Sequence, residues 1–477
     1  GGARAGLQPH RLIEIVKRLV VIGGGISGTA AAFRAKKRAR DLSRELDVVL
    51  LEKEPEVGGK ALSHVEHGWL FETGPLGYLN SDPIVDELAS EAGLEGDVLR
   101  AGEAQSHRFV LARGKPREVQ ASPLGFVASG FLSLGGLLRA AREPFVPARR
   151  DESDESVWDF AARRLGPEFA DRLIHPMVLG IFAGDAKRLS LPAAFPIMAE
   201  LEREHGSLVR AQIARARRRK GPRGSVLSSF REGMQSLPRA LAARGGFTVK
   251  TSCAVRSVER NGDYRITLDQ EGELLSADAV ILACEGFQAA ALLSRCAPEV
   301  SRKLLEIPTP PIYVVALGYG PEALASIPEG FGVLIPRGAG YRALGVTCDG
   351  YLFPGRNPTG ELLVRMLFGG SFDPRVDEVE PSEIARTAAE EMKRLFLFEA
   401  EPRFTRARLW PRAIPQYEIG HLARLADIDR DLLAFPHLYL AGNALHGPSF
   451  GKAAARGAIC GREAVDSLFQ GVPRPVC

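Results

Sequence analysis

Residues 18–28 read Arg-Leu-Val-Val-Ile-Gly-Gly-Gly-Ile-Ser-Gly, and the fold follows from how this run is read. Leu19 to Ile22 form a short apolar strand. It runs into Gly23-x-Gly25-x-x-Gly28, with a helical stretch predicted from Thr29 to about Leu46. A Gly-x-Gly-x-x-Gly run means little alone, but a strand before it and a helix after it mark a dinucleotide site. Gly23 allows the tight turn, Gly25 lets backbone approach a pyrophosphate, and Gly28 lets the helix pack on the strand. Ile26 and Ser27 lie between the last two glycines, where the helix N-terminus presents its N–H groups and partial positive charge to phosphate.

A second strand follows, from Asp47 to Leu51, and ends at Glu52. Glu52 is 24 positions beyond Gly28. The usual spacing is about 20, and one extra helical turn accounts for the difference. A carboxylate there accepts hydrogen bonds from ribose hydroxyls and repels a 2′-phosphate. Lys53 comes next, and the run continues to Gly58-Gly59-Lys60. Two glycines let backbone pass close to a bound group, and the Lys60 cation can meet phosphate oxygens.

Composition excludes other classes. Hydrophobic residues make up 45% and charged residues 25%, which fits a folded globular chain and not a disordered one. A net charge of +4 is too small for a typical nucleic-acid binder of this length. Six cysteines show no zinc-finger or Cys-x-x-Cys spacing, so no metal site is expected and a reducing, cytoplasmic location is. Gly1 to Lys17 lack the pattern of a secretory signal. The run Pro123 to Leu138 is apolar but broken by four glycines. It reads either as a pair of short buried helices or as a surface that dips into one leaflet, flanked by Arg113, Lys115, Arg117, Arg139 and Arg142. The basic run from Ala211 to Gly224 reads as a helix end and loop, with anionic lipid as its functional alternative. The acidic stretch Asp377 to Glu380 reads as solvated surface.

The segment from Glu52 to Lys60 resembles the extended dinucleotide signature of the flavoproteins that include amine oxidases, phytoene desaturases and protoporphyrinogen oxidases. Further segments narrow the resemblance. They are Gly180-Ile-Phe-Ala-Gly184-Asp185, Phe230-Arg-Glu-Gly233-Met-Gln235, Phe331-Gly332-Val-Leu334, Leu352-Phe-Pro-Gly-Arg356, and Trp410 to Tyr417 with Gly420-His421. Together they resemble the oxygen-dependent protoporphyrinogen oxidase and coproporphyrinogen III oxidase family across residues 20 to 460. The resemblance implies FAD as cofactor and an α/β fold with a discontinuous, Rossmann-like FAD domain. That domain would take residues 10–80, 225–306 and 412–477. A mixed-sheet substrate domain would take 307–411 with 105–120, and a helical, membrane-associated insert 81–224.

The same resemblance adds Val255, Ala283, Gly442 and Asn443 to the cofactor-binding set. It makes Arg108 a partner for a substrate propionate, and Phe331, Gly332, Leu334, Met366 and Leu367 a wall for the macrocycle. No residue stands out as catalytic, although Asp185 and His205 are candidates for moving protons. The implied reaction takes six electrons from protoporphyrinogen IX in three flavin cycles, with dioxygen as acceptor, in haem synthesis. Alternatives are coproporphyrinogen III as substrate, another amine or carotenoid oxidoreductase, and a flavin-binding scaffold without turnover. A membrane surface and a second copy of the chain are candidate partners. One departure stands out. His446 to Lys452 replaces the family's Gly-Val-x-x-x-Asp-Cys segment near the flavin.

Overall fold

In the computed structural model, residues 16–472 are described, apart from 82, 121–122, 152, 219–224 and 270–271. The first 15 residues and the end of the basic run therefore lie outside the described residues.

The chain is an α/β protein built on several sheets. One is five-stranded and parallel, in the order Thr248–Lys250, Leu46–Leu51, Lys17–Ile22, Ala279–Leu282, Leu438–Leu440. Its strands are near-continuous apolar runs because helices cover both faces. Three well-separated stretches of chain supply them. The helix after the first strand spans Ile26–Asp41, not Thr29 to Leu46. Gly25 is its extended N-cap, so Gly28 lies inside the first turn. A turn through Ser43, at φ 53°, ends it early.

This helix packs against the C-terminal helix Phe450–Gln470 with backbones in near contact. A Cβ at Gly457 would lie 1.9 Å from the Ser27 carbonyl oxygen, and one at Gly461 would lie 2.2 Å from that of Ala31. The C-terminal helix thereby fixes the back of the glycine-rich turn.

A seven-stranded mixed sheet runs Phe404–Trp410, Ile312–Tyr319, Leu362–Gly369, Gly345–Thr347, Gly332–Leu334, Arg108–Ala112, Lys115–Glu118. One face packs on the amphipathic helix Pro381–Phe396. The other face meets the helix His175–Phe182 through Leu179, Ile312, Val314 and Leu367. A π-helical turn, Ala170–Ile174, precedes that helix. Pro176, in the first turn of that helix, has no N–H to donate back into this turn.

Two buried ion pairs lie where the segment 72–74 meets this sheet. Glu72 meets Arg356 at 3.3 Å, and Asp349 meets Arg365 at 2.5 Å. Arg365 also donates to the carbonyls of Glu72, at 3.0 Å, and Gly74, at 2.9 Å. Burial pushes both carboxyl groups up from their ordinary range, and the two guanidinium groups oppose that shift.

The stretch 123–141 forms two short helices, Pro123–Ala128 and Leu134–Ala141, but the second buries no residue. The buried half of that expectation is thus corrected. Leu134 is 74% exposed, Leu138 61% and Phe145 81%. Beneath them Arg164 and Glu143 are fully buried and paired. Glu143 also accepts from Ser207 Oγ and from the N–H groups of Leu208 and Val209. Burial pushes the Glu143 carboxyl up, but these donors outweigh it and hold it below its ordinary range. No described helix is long and apolar enough to cross a membrane.

Candidate active site

The glycine-rich turn sits at the C-terminal ends of the parallel strands. Gly23 has φ 108° and donates its N–H to the Leu51 carbonyl at 2.8 Å. A Cβ at Gly23 would lie 2.8 Å from the Ala283 carbonyl carbon, and one at Gly28 would lie 1.8 Å from the Gly23 carbonyl oxygen. Both glycines are thus demanded by the protein's own packing. Gly25 is different, since a Cβ there meets nothing nearer than Gly59 Cα at 3.8 Å. The space in front of Gly25 is open, as close approach of a pyrophosphate requires. Gly25 and Gly58 pair backbone to backbone, and Gly59 (φ 60°) lies against Gly25.

Glu52 ends the second strand, buried, with both oxygens engaged. Oε2 accepts from Gly24 N at 2.6 Å and Oε1 from Glu54 N at 2.8 Å. Its carboxylate is held rigidly at the lip of the turn, with lone pairs left for ribose hydroxyls. Lys53 beside it is exposed. Val255 opens the strand that follows Cys253, whose N–H donates to the Glu52 carbonyl. Gly442 (φ 103°) would place a Cβ 3.3 Å from the Cys284 carbonyl oxygen, and Asn443 follows it half-buried. The structure therefore gathers Gly23 to Gly28, Glu52, Gly58 to Lys60, Ala283 and Gly442 around one cleft edge.

These residues fit FAD. Ser27 Oγ is buried in the turn without a hydrogen-bond partner, and the first N–H groups of the helix Ile26–Asp41 have no intrahelical acceptor. A pyrophosphate satisfies both. Lys60 Nζ is held between Glu285 Oε2 and the Ala413 carbonyl, each at 2.6 Å, which stations a cation where the two halves of the chain meet.

On the mixed sheet, register aligns the wall residues. Leu334, Gly345 and Leu367 are direct neighbours across three strands, so a glycine lies between two leucines. Gly332 is the partner of Arg108, and Leu334 that of Val110. The Arg108 side chain is exposed, and its guanidinium lies 5.3 Å from the centre of the Phe331 ring. Gly180 of the covering helix would place a Cβ 2.4 Å from Leu334 Cδ2. Met366 is not brought to this wall. It is fully buried on the opposite face, under the helix Pro381–Phe396. Asp185 accepts from Lys187 N at 2.9 Å within a turn, and His205 ends the helix Pro196–His205 beside Glu204.

The segment 416–421, which the sequence offered only as a motif, carries buried polar groups whose roles it did not reveal. Gln416 is buried and donates to the carbonyls of Phe182 and Ile414. Tyr417 and His421 stack 4.1 Å apart beneath the loop that follows Gly442. Only the motif spelling pointed to these residues, because their partners lie far away in sequence.

A parallel sheet with a glycine turn and a fixed acidic strand end defines a dinucleotide-binding fold, and the family match makes it that of an FAD-dependent oxidoreductase. The model of the flavin containing amine oxidoreductase family matches residues 37–460. The chain belongs to that family, in its branch of protoporphyrinogen and coproporphyrinogen III oxidases. It is 31% identical to the chloroplastic protoporphyrinogen oxidase 1 of Spinacia oleracea, over 94% of this chain and 84% of that one. It is 29% identical to the coproporphyrinogen III oxidase of Bacillus subtilis (strain 168), over 95% of this chain and 99% of that one. A crystal structure from Exiguobacterium sp. 255-15 shares the fold with a TM-score of 0.83 at 24% identity, over 96% and 99% of the two chains.

Proposed function

We propose that the chain oxidises protoporphyrinogen IX to protoporphyrin IX in haem synthesis, with dioxygen as the final acceptor. The observation that carries this reading is the strip Leu334–Gly345–Leu367, two apolar side chains in register on either side of a glycine. A flat macrocycle fits such a strip. Bound FAD supplies two-electron oxidation, and three rounds of it remove the six electrons that separate porphyrinogen from porphyrin. Leu334 and Leu367 exclude water and orient the ring. Arg108, exposed at the edge of the sheet, holds a propionate through two parallel hydrogen bonds from its guanidinium.

A second reading, coproporphyrinogen III as substrate, has its own support. Arg337 lies three residues past Leu334, at the other end of that strand from Arg108, exposed and stacked 4.1 Å over Phe372. Neither arginine pairs with a carboxylate among the described residues. Cations at both ends suit a substrate with four propionates. Following porphyrin fluorescence from each porphyrinogen, in air and under argon, separates the readings by kcat/KM. Formation of neither porphyrin by the FAD-loaded protein would reject both.

Arg108→Ala is expected to raise KM about tenfold or more while flavin content stays normal, the cost of one charge-assisted contact of about 1.5–3 kcal/mol. An unchanged KM removes Arg108 from the site.

We also read the exposed trio Leu134, Leu138 and Phe145, with Arg139 and Arg142 beside it, as a surface for anionic lipid. Sedimentation with phosphatidylglycerol vesicles is expected, and little with phosphatidylcholine. Replacing the trio by serine should abolish it. Equal sedimentation of wild type and triple variant contradicts this reading.

A further inference from the structure

The loop 443–447 runs into the segment 446–452 that departs from the family pattern, and it leads from the parallel sheet into the C-terminal helix. It is placed by contacts that continue from the glycine turn. Gly23 packs on Ala283 and Cys284, Gly442 packs on Cys284, and Ala444 abuts Gly286, where a Cβ would lie 2.9 Å away. Backbone at Gly442 and Gly447 has positive φ, 103° and 119°, which glycine adopts without strain, so it is contacts that must fix the shape of the loop.

Two stacked rings do so. Tyr417 donates its hydroxyl hydrogen to the Asn443 carbonyl, and the same oxygen accepts from Gly447 N at 2.8 Å. One phenol thus clamps both ends of the loop. His421 Nε2 donates to the Leu445 carbonyl at 3.0 Å and holds its middle. His421 is fully buried, and burial pushes its pKa down to about 4, so the ring is neutral and keeps this single tautomer. The stacking at 4.1 Å and 14° fixes each ring by the other. Gln416, the preceding residue, holds the end of the helix His175–Phe182 through the Phe182 carbonyl at 2.8 Å. One short stretch therefore anchors both the loop beside the cofactor seat and the helix over the substrate wall.

We propose that Tyr417 and His421 are positioning residues of the flavin site, which hold the loop 443–447 in its binding shape before FAD arrives. This rests on the reading of Gly442 and Asn443 as cofactor neighbours. The test is Tyr417→Phe, which keeps the ring and its stacking and removes only the hydroxyl. Expected are FAD affinity at least tenfold weaker, measured by dialysis of apoprotein, and a shifted visible flavin band, with the thermal midpoint of the apoprotein nearly unchanged. A merely structural tyrosine would move the midpoint and leave the band alone. FAD affinity within twofold of wild type, with a superimposable band, overturns the proposal.

Hydrogen exchange on unmutated protein gives a second measure. The Gly447 amide should exchange slowly in apoprotein and in FAD-loaded protein alike. Fast exchange in apoprotein overturns preorganisation whatever the variant does. Wild-type protein that takes up no FAD defeats the flavin reading itself. Wild-type uptake matched by the variant defeats only the role of Tyr417 and His421.

Discussion

Gly28→Val is expected to purify as a folded but colourless protein. A Cβ at position 28 falls 1.8 Å from the Gly23 carbonyl oxygen and 3.2 Å from Ala283 Cβ, so the first helical turn must swing away from the strand. The N–H groups that seat the pyrophosphate then lose their aim. Overpacking of this kind costs about 1–3 kcal/mol of stability, and the lost phosphate contacts should lower FAD affinity by a hundredfold or more, about 2.7 kcal/mol. Equilibrium dialysis with FAD, beside circular dichroism to confirm folding, measures it. Gly25→Ala is the informative companion. Its Cβ has free space in the protein alone, so stability should hold while FAD affinity falls. Normal FAD uptake by Gly28→Val would mean that the turn is not the cofactor seat.

Glu72→Gln is expected to destabilise the protein by about 3–5 kcal/mol, the cost of leaving a buried charge without its partner. Arg356 is almost fully buried and meets Glu72 at 3.3 Å, and it gains no route to water when the carboxylate is neutralised. The same glutamate accepts from Ser63 Oγ at 2.7 Å and Met234 N at 2.9 Å, so the loss extends to the segment that carries Gly74. Urea denaturation monitored by tryptophan fluorescence reads the change. The double variant Glu72→Met/Arg356→Met should recover part of the loss, because removing both charges removes the uncompensated one. A single variant as stable as wild type would show that the pair contributes nothing at this junction.

The cofactor seat was legible in the chain because its physics is local. A strand, three glycines at fixed spacing and an acidic strand end lie within 35 residues. The helix boundary was misread because Gly28, a helix breaker by propensity, sits inside the first turn, where tertiary packing overrides that preference. Met366 illustrates a different failure. It is adjacent to Leu367 in one strand, and neighbouring strand residues point to opposite faces, so both could not line one wall. Strand alternation alone would have excluded it. Gly457 and Gly461 were unreadable, because the backbone they receive lies more than 400 residues away. The buried charges Glu72, Asp349, Arg356 and Arg365 were equally silent, since nothing in the sequence separates a buried arginine from a solvated one. The apolar stretch 123–138 gave its helices and left buried and surface readings open, because exposure depends on what the fold leaves uncovered.

The central claim is that Gly23 to Lys60 seats the pyrophosphate and adenosine of FAD. Titrating apoprotein with FAD and with FMN tests it most directly, because FMN carries the same ring system without the adenosine half that the turn and Glu52 address. Uptake of one FAD per chain, with FMN bound at least a hundredfold more weakly, is the predicted result. Equal affinity for FMN, or no flavin bound by folded protein, would contradict it.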